Sequence, residues 1–201
     1  MANTIDDLAA AFARLPGIGP RQGKRFVYYL LAAGASERAT LAELIAALGA
    51  QVRQCPECLR FFNGTKAAVC NYCTDKSRDD SQLMLVEKDQ DLTAVERAGT
   101  YRGRYFVLGG VLTLSGKGAI REKELVKSVE KRLPAGLTEI VLALSATSEG
   151  EHTADRIREL IAPYRGQLKL SALGRGLATG SELEYSDAET LRAAFQNRHE
   201  S

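Results

Sequence analysis

The chain has 201 residues, 45% of them hydrophobic and 26% charged, with a formal net charge of +2. Such a profile is that of a globular protein of one large domain or two to three small ones, and it excludes a polycation. The slight cationic excess falls in residues 1–80, with 10 Lys and Arg against 8 Asp and Glu, while residues 81–201 hold 17 of each. Any reading as a nucleic-acid binder must therefore rest on local clusters. Asp6 and Asp7 stand where a cationic leader would be, and the longest apolar run, FVYYLLAAGA, has 10 residues. A membrane span needs roughly 18, so the expectation is a cytoplasmic protein without a membrane partner.

In chain order, residues 4–53 read as three helices. TIDDLAAAFARL keeps Leu8, Phe12 and Leu15 at helical spacing behind a Thr4 cap. PRQGKRFVYYLLAAG opens with Pro20, suited to a first turn, and stops at Gly34. TLAELIAALGAQV is the third, with Thr40 as cap and Glu43 three residues on, a capping-box pattern. Residues 54–80 lack helical periodicity and end in a charged, loop-like run. From residue 82, QLMLVEK, RYFVLGG, EIVLAL and QLKLSAL read as strands, separated by the helical patterns DLTAVERAG, REKELVKSVEKRL and EHTADRIRELIAPY. This alternation predicts a mostly parallel sheet with right-handed crossovers. A Gly-rich loop, an acidic turn and an amphipathic helix close the chain. The fold expected is a multi-part α/β protein: a helical hairpin region at 1–53, a small four-cysteine motif at 54–77, a parallel α/β domain at 80–174 and a C-terminal segment at 175–201.

CPEC and CNYC place Cys55, Cys58, Cys70 and Cys73 as two CxxC knuckles with 11 residues between Cys58 and Cys70. Each tight turn converges two thiolates, and two turns make the tetrahedral S4 site preferred by a closed structural Zn2+. Competing readings are two disulfides or four buried thiols. A redox role is disfavoured, since neither motif opens a helix after a strand. With four sulfur ligands the metal has no open position, so it stabilises and does not catalyse.

LPGIGPRQGKRF, residues 15–26, sets Gly17 and Gly19 before a helix start. Unpaired backbone N–H groups at such a start form an anion site, and glycines let a phosphate approach closely. Arg21, Lys24 and Arg25, at i, i+3 and i+4, share one face beside it. Amides and cations together suit a phosphodiester backbone without reading sequence. The bland alternative is a helical turn that needs glycine and has a basic solvent face. The spacing of apolar residues and glycines matches the helix-hairpin-helix motif, which favours DNA.

Glu87 ends the first strand, and Glu149 and Glu151 follow the third, outside the carboxyl ends where open α/β sheets bind ligands. The placement resembles a Toprim domain, in which the first strand ends in a catalytic Glu and the third precedes an Asp-x-Asp metal pair. Here Ser145 and Thr147 fill the slots of that pair. Two hard ligands for Mg2+ are missing, so Glu87, Glu149 and Glu151 would hold a metal weakly and phosphoryl chemistry looks crippled. Helix capping is the alternative role for Glu149 and Glu151. GVLTLSGKGA is no P-loop, because Gly110 is misplaced relative to Gly116 and Gly118 replaces the Ser/Thr. His152 and His199 have no metal-ligand spacing and read as surface residues.

Taken together, LPGIGPRQGKR, the four cysteines, VEKDQDLTAVERAGTYRGRYFVLGG, TSEGEHTA and GRGLATGSELEYSDAETL resemble the RecR family of bacterial recombination mediators along essentially the whole chain. The resemblance implies a non-enzymatic DNA-binding repair protein that works with RecO and RecF to load RecA at single-strand gaps. It implies a homo-oligomer, dimer or tetramer, the tetramers ring-shaped and able to encircle DNA, with single- and double-stranded or gapped DNA as the partner. Arg21 and Arg25 would face the hole, and Glu151 and its neighbours would meet RecO. The chain departs from the family pattern at TLSGKGAIRE, at Ser145-Ala146-Thr147 and at Gly23. The competing functions are a metal-dependent Toprim nuclease or primase-like enzyme, and a zinc-ribbon adaptor that binds only proteins.

Overall fold

A computed structural model describes residues 3–64, 67–115 and 118–198. His199 and Gly116, singled out above, lie outside the described residues. The chain divides into two compact units, Met1–Arg53 and Gln54–Ser201.

The first unit holds α1 (Thr4–Ala13), α2 (Pro20–Ala32) and α3 (Ala35–Gln51). Asn3, not Thr4, caps α1: its side-chain oxygen accepts the Ile5 N–H at 3.2 Å, and Thr4 is already helical. Ala9 and Val27 are buried, and Phe12 meets Phe26 edge to face at 5.7 Å. Gly23 permits the close approach of α1 and α2, since a Cβ there would stand 2.5 Å from the Ala9 carbonyl oxygen. This gives the departure from the family pattern at Gly23 a packing reason.

The third helix begins earlier than its sequence pattern suggests. Gly34, expected as the stop of α2, is the N-cap of α3. Thr40, expected as a cap, sits inside the helix and donates its hydroxyl to the Ser36 carbonyl at 3.0 Å. That back-bond satisfies a hydroxyl in a helix interior, and Ser-Glu-Arg-Ala ahead of it tolerates helix well. No residue of α3 is buried, and Leu41, Leu44, Ile45 and Leu48 all lie exposed.

The chain passes through β1 (Val52–Gln54) into a cysteine-rich segment with β2 (Phe61–Asn63) and one helical turn, α4 (Asn71–Thr74). The α/β part follows as β3 (Asp79–Val86), α5 (Asp89–Ala98), β4 (Gly103–Val107), α6 (Glu122–Arg132), β5 (Glu139–Ala143), α7 (Ser148–Ile161) and β6 (Lys169–Ala172). The strands lie in the order β4-β3-β5-β6, every pairing parallel. β3 starts at Asp79, inside the run expected to be loop. Asp79 pairs with Gly103, and Asp80 accepts from Arg104 Nε at 2.6 Å, so tertiary partners hold two acids in a strand.

Alternate residues divide the core between the two faces of the sheet. Leu83, Leu85, Phe106, Ile140 and Leu142 pack with Leu125 and Val129 of α6 and Ile157 and Ile161 of α7. Met84, Val86, Tyr105 and Val107 pack with Leu92 of α5. Full burial contributes about 1.5–3 kcal/mol per large aliphatic side chain, so these layers dominate the unit's stability. The chain runs from β3 to β4 on one side, then crosses past β3 to β5 and on to β6 on the other. The direction therefore reverses between β3 and β5, the place where open α/β sheets bind ligands outside their carboxyl ends. At the end of the chain, Asp187 Oδ1 accepts the Glu189 and Thr190 N–H groups at 2.9 Å each and starts α8 (Ala188–Gln196). Among the described residues, no helix is long and apolar enough to cross a membrane.

Candidate nucleic-acid interface and metal centre

The corner before α2 is built by backbone conformation. Gly17 adopts a φ of +77°, a region that disfavours any side chain, and Gly19 is the N-cap. A Cβ at either glycine would meet nothing within 4 Å, so the approach is open. Gly19 offers no side-chain cap, and Pro20 at the first helical position has no N–H. The first intrahelical bond runs from the Gly23 N–H to the Gly19 carbonyl at 2.9 Å. The Arg21 and Gln22 N–H groups precede it and point out of the helix start, toward an external acceptor.

Arg21, Lys24 and Arg25 are all exposed on the adjoining face of α2. They are not equally available. Lys24 Nζ pairs with Asp6 Oδ1 at 3.2 Å across α1 and α2, whereas Arg25 reaches only its neighbour Gln22, at 3.5 Å. Among the described residues, neither Arg21 nor Arg25 has a carboxylate partner. The two arginines and the bare amides make a compact positive site, and Lys24 is partly neutralised.

The four cysteines converge. Their sulfur atoms all lie within 4.8 Å of one another, with Cys58 Sγ and Cys70 Sγ 3.5 Å apart. All four are free thiols; Cys55, Cys58 and Cys70 are buried, and Cys73 is half-buried. A tetrahedral ion with metal–sulfur bonds of about 2.3 Å needs sulfurs roughly 3.8 Å apart, so the cluster fits a thiolate-preferring divalent metal. Hydrogen bonds from Cys58 and Cys73 hold the Cys70 thiol far below the usual thiol range. The same bond to Cys70, together with burial, pushes Cys58 up.

Each knuckle is closed by its own backbone bonds and clamped by an arginine that its sequence does not reveal. In the first, the Leu59 N–H donates to the Cys55 carbonyl at 2.9 Å, and Leu59 takes a φ of +62°. Arg121 Nη1 then donates to the Leu59 and Val107 carbonyls at 2.8 Å each. In the second, the Cys73 N–H donates to the Cys70 carbonyl at 3.1 Å. Arg104 Nη1 donates to the Tyr72 and Cys73 carbonyls at 3.0 and 3.2 Å. One helical turn, Asn71–Thr74, opens at the second motif with Cys70 as its N-cap; it does not directly follow β2, which ends at Asn63, and one turn gives little dipole to activate a thiol.

The acidic residues do not gather. Glu87 is buried just after β3, and its Oε1 accepts both the N–H and the hydroxyl of Ser145 at 2.6 Å. Thr147 caps α7 by accepting the Gly150 N–H at 3.1 Å. Glu149 and Glu151 stand in the first turn of α7, and Glu151 pairs with Arg175. Among the described residues, only the four cysteines bring three or more metal-ligating side chains together. The two hydroxyl residues in the Asp-x-Asp slots therefore serve as a brace for Glu87 and a helix cap. His152 is exposed on α7.

Three family models match the chain: RecR, helix-hairpin-helix, over residues 5–48; Toprim domain over 81–173; and RecR, C-terminal, over 176–199. Recombination protein RecR of Bdellovibrio bacteriovorus is 37% identical over 205 residues, covering 98% of both chains. That of Cereibacter sphaeroides is 38% identical over 194 residues, covering 96% of this chain and 95% of its own. That of Cutibacterium acnes is 37% identical over 195 residues, covering 96% and 94%. The chain belongs to the RecR family.

In this RecR-family chain, Gly17, Gly19, Arg21, Lys24 and Arg25 fall inside the helix-hairpin-helix match, and Glu87, Glu149 and Glu151 inside the Toprim match. The four cysteines lie between the two matches, so the case for a metal there stands on geometry. Arg104 and Arg121 escaped sequence reasoning because nothing local marks them: the knuckle carbonyls of Tyr72, Cys73 and Leu59 that they clamp lie 32, 31 and 62 residues away in the chain.

Proposed function

We propose that the chain is a non-enzymatic DNA-binding protein of recombinational repair. It acts in the cytoplasm with RecO and RecF to promote RecA loading at single-strand gaps, as a ring-shaped homo-oligomer. The observation that carries this reading is the uncapped start of α2, where open glycines, outward amides, Arg21 and Arg25 together suit a phosphodiester. In this reading residues 1–53 grip DNA and residues 54–77 form a zinc-braced finger. Residues 80–174 present the Toprim face, and 175–201 complete it. The exposed row of Leu41, Leu44, Ile45 and Leu48 supports self-association, because monomers rarely leave such a contiguous apolar patch in water. Glu151, Arg158, Arg175 and Arg192 line an open 840 Å³ cleft that suits a charged protein partner such as RecO.

The absence of catalysis is supported by the commitment of the Glu87 carboxylate to Ser145, and by hydroxyls in place of two metal-binding carboxylates. Gapped DNA incubated with the protein and Mg2+ or Mn2+, then divided between native and denaturing gels, tests the reading. Retarded but intact strands are expected. Strands shortened in a Glu87-dependent manner would establish an enzyme instead, and binding indifferent to Arg21→Ala with Arg25→Ala would leave a protein adaptor.

A further inference from the structure

α2 carries an aromatic ring that packing does not explain. With 3.6 residues per turn, positions 21, 25 and 28 stand at i, i+4 and i+7 and form one stripe, and Lys24 lies one turn before position 28. Tyr28 therefore stands on the same exposed face as the cations, one turn beyond Lys24 and Arg25 and two turns beyond Arg21. The opposite face holds Gly23 and Val27, both buried. Tyr28 is 54% exposed, and among the described residues its hydroxyl has no hydrogen-bond partner. Its neighbour Tyr29 shows the contrast, donating to Glu37 at 2.8 Å. A tyrosine kept for the core would lie on the Gly23–Val27 face, and one kept for its hydroxyl would be bonded. What Tyr28 offers is a flat, accessible π face on the cationic side of α2, one turn beyond Lys24 and Arg25.

Such a combination binds unpaired nucleotides: cations follow the backbone while the ring stacks on a base, whatever its identity. In a duplex the base faces are already covered by their neighbours, so the ring has nothing to stack on. We propose that Tyr28 is a base-stacking platform that makes the α2 site prefer single-stranded DNA. The proposal rests on the reading of that site as a phosphate grip. Arg21, Arg25 and the helix-start amides supply affinity for either form, and Tyr28 supplies the discrimination.

The test uses the full chain with labelled oligothymidylate and a blunt duplex of equal length, by fluorescence anisotropy over a salt series. Alanine substitution of a stacking ring costs on the order of 5- to 150-fold in affinity per base. Tyr28→Ala and Tyr28→Leu should lose that much on the single strand and stay within about twofold on the duplex. The salt slope should not change, because no phosphate contact is lost. Tyr28→Phe should retain binding, since the ring and not the hydroxyl acts. Unchanged single-strand affinity in Tyr28→Ala would overturn the proposal. So would an equal loss on both DNAs with a lower sedimentation coefficient, which would make Tyr28 a subunit contact. The double variant Arg21→Ala, Arg25→Ala separates the two readings. Weaker binding to both DNAs with a shallower salt slope keeps the phosphate grip, whatever Tyr28 does; normal binding to both removes the grip and the stacking proposal together.

Discussion

Arg104→Met should loosen the cysteine-rich segment from the sheet. Arg104 is 8% exposed, and it is the only charged donor to the Tyr72 and Cys73 carbonyls among the described residues. Its pair with Asp80 counts for little, since the Asp80 side chain is 59% exposed and such pairs contribute about 0–1 kcal/mol. Hydrogen bonds from a charged donor contribute roughly 1.5–3 kcal/mol each. Both carbonyls share one nitrogen at 3.0 and 3.2 Å, so the low end applies and the two together come to about 3 kcal/mol. Methionine fills the volume of the arginine stem, so a cavity adds little. For a unit of this size the loss lowers the midpoint by about 6–12 °C, at 2–4 °C per kcal/mol. Calorimetry and urea titration of the metal-loaded protein measure it, and a chromogenic chelator should strip the metal faster. Arg104→Lys should fall between the two, because an ammonium cannot hold the fork. A loss below about 1 kcal/mol, or an unchanged rate of metal release, would refute the clamp.

Other perturbations separate packing from binding. Gly23→Ala should destabilise the first unit by about 1–3 kcal/mol, because its Cβ would press on the Ala9 carbonyl. Gly19→Ala should shift thermal stability by under about 1 kcal/mol yet weaken DNA binding, because its Cβ occupies only the open approach. Bonds from the Thr190 N–H and hydroxyl hold the Asp187 carboxyl below its ordinary value of 3.8. Its capping contribution is therefore fully present above 3.8 and is lost as pH falls through the lower folded value; amide exchange in α8 should rise in that acid range, and Asp187→Asn should flatten the dependence. Ser145→Asp sets a second carboxylate against Glu87, so the variant should melt lower than the parent at neutral pH and recover on adding Mg2+, with differential scanning fluorimetry as the readout.

Local patterns in the sequence determined much of the molecule. CxxC spacing specifies two sulfur-bearing turns, a proline after Gly-x-Gly specifies a helix start with bare amides, and alternation of strand and helix periods specifies a parallel sheet. Those features depend on neighbours within one or two turns of chain. Where reading failed, a specific hydrogen-bond partner had overruled a residue-type preference, distant in the chain for Asp79 and Asp80 and one turn away for Thr40. Asp79 and Asp80 enter a strand because Gly103 and Arg104 stand opposite, and Thr40 stays inside a helix because the Ser36 carbonyl takes its hydroxyl. Glu87 looks like a metal ligand in sequence, and only the fold brings Ser145, 58 residues away, against its oxygen. Charge and hydrogen bonding act through space, over a few ångströms. The sequence by itself therefore determined which groups exist and which secondary structure carries them. Tertiary structure decided which of those groups are already satisfied, as Lys24 and Glu87 are, and which, like Arg21, Arg25 and Tyr28, are left exposed.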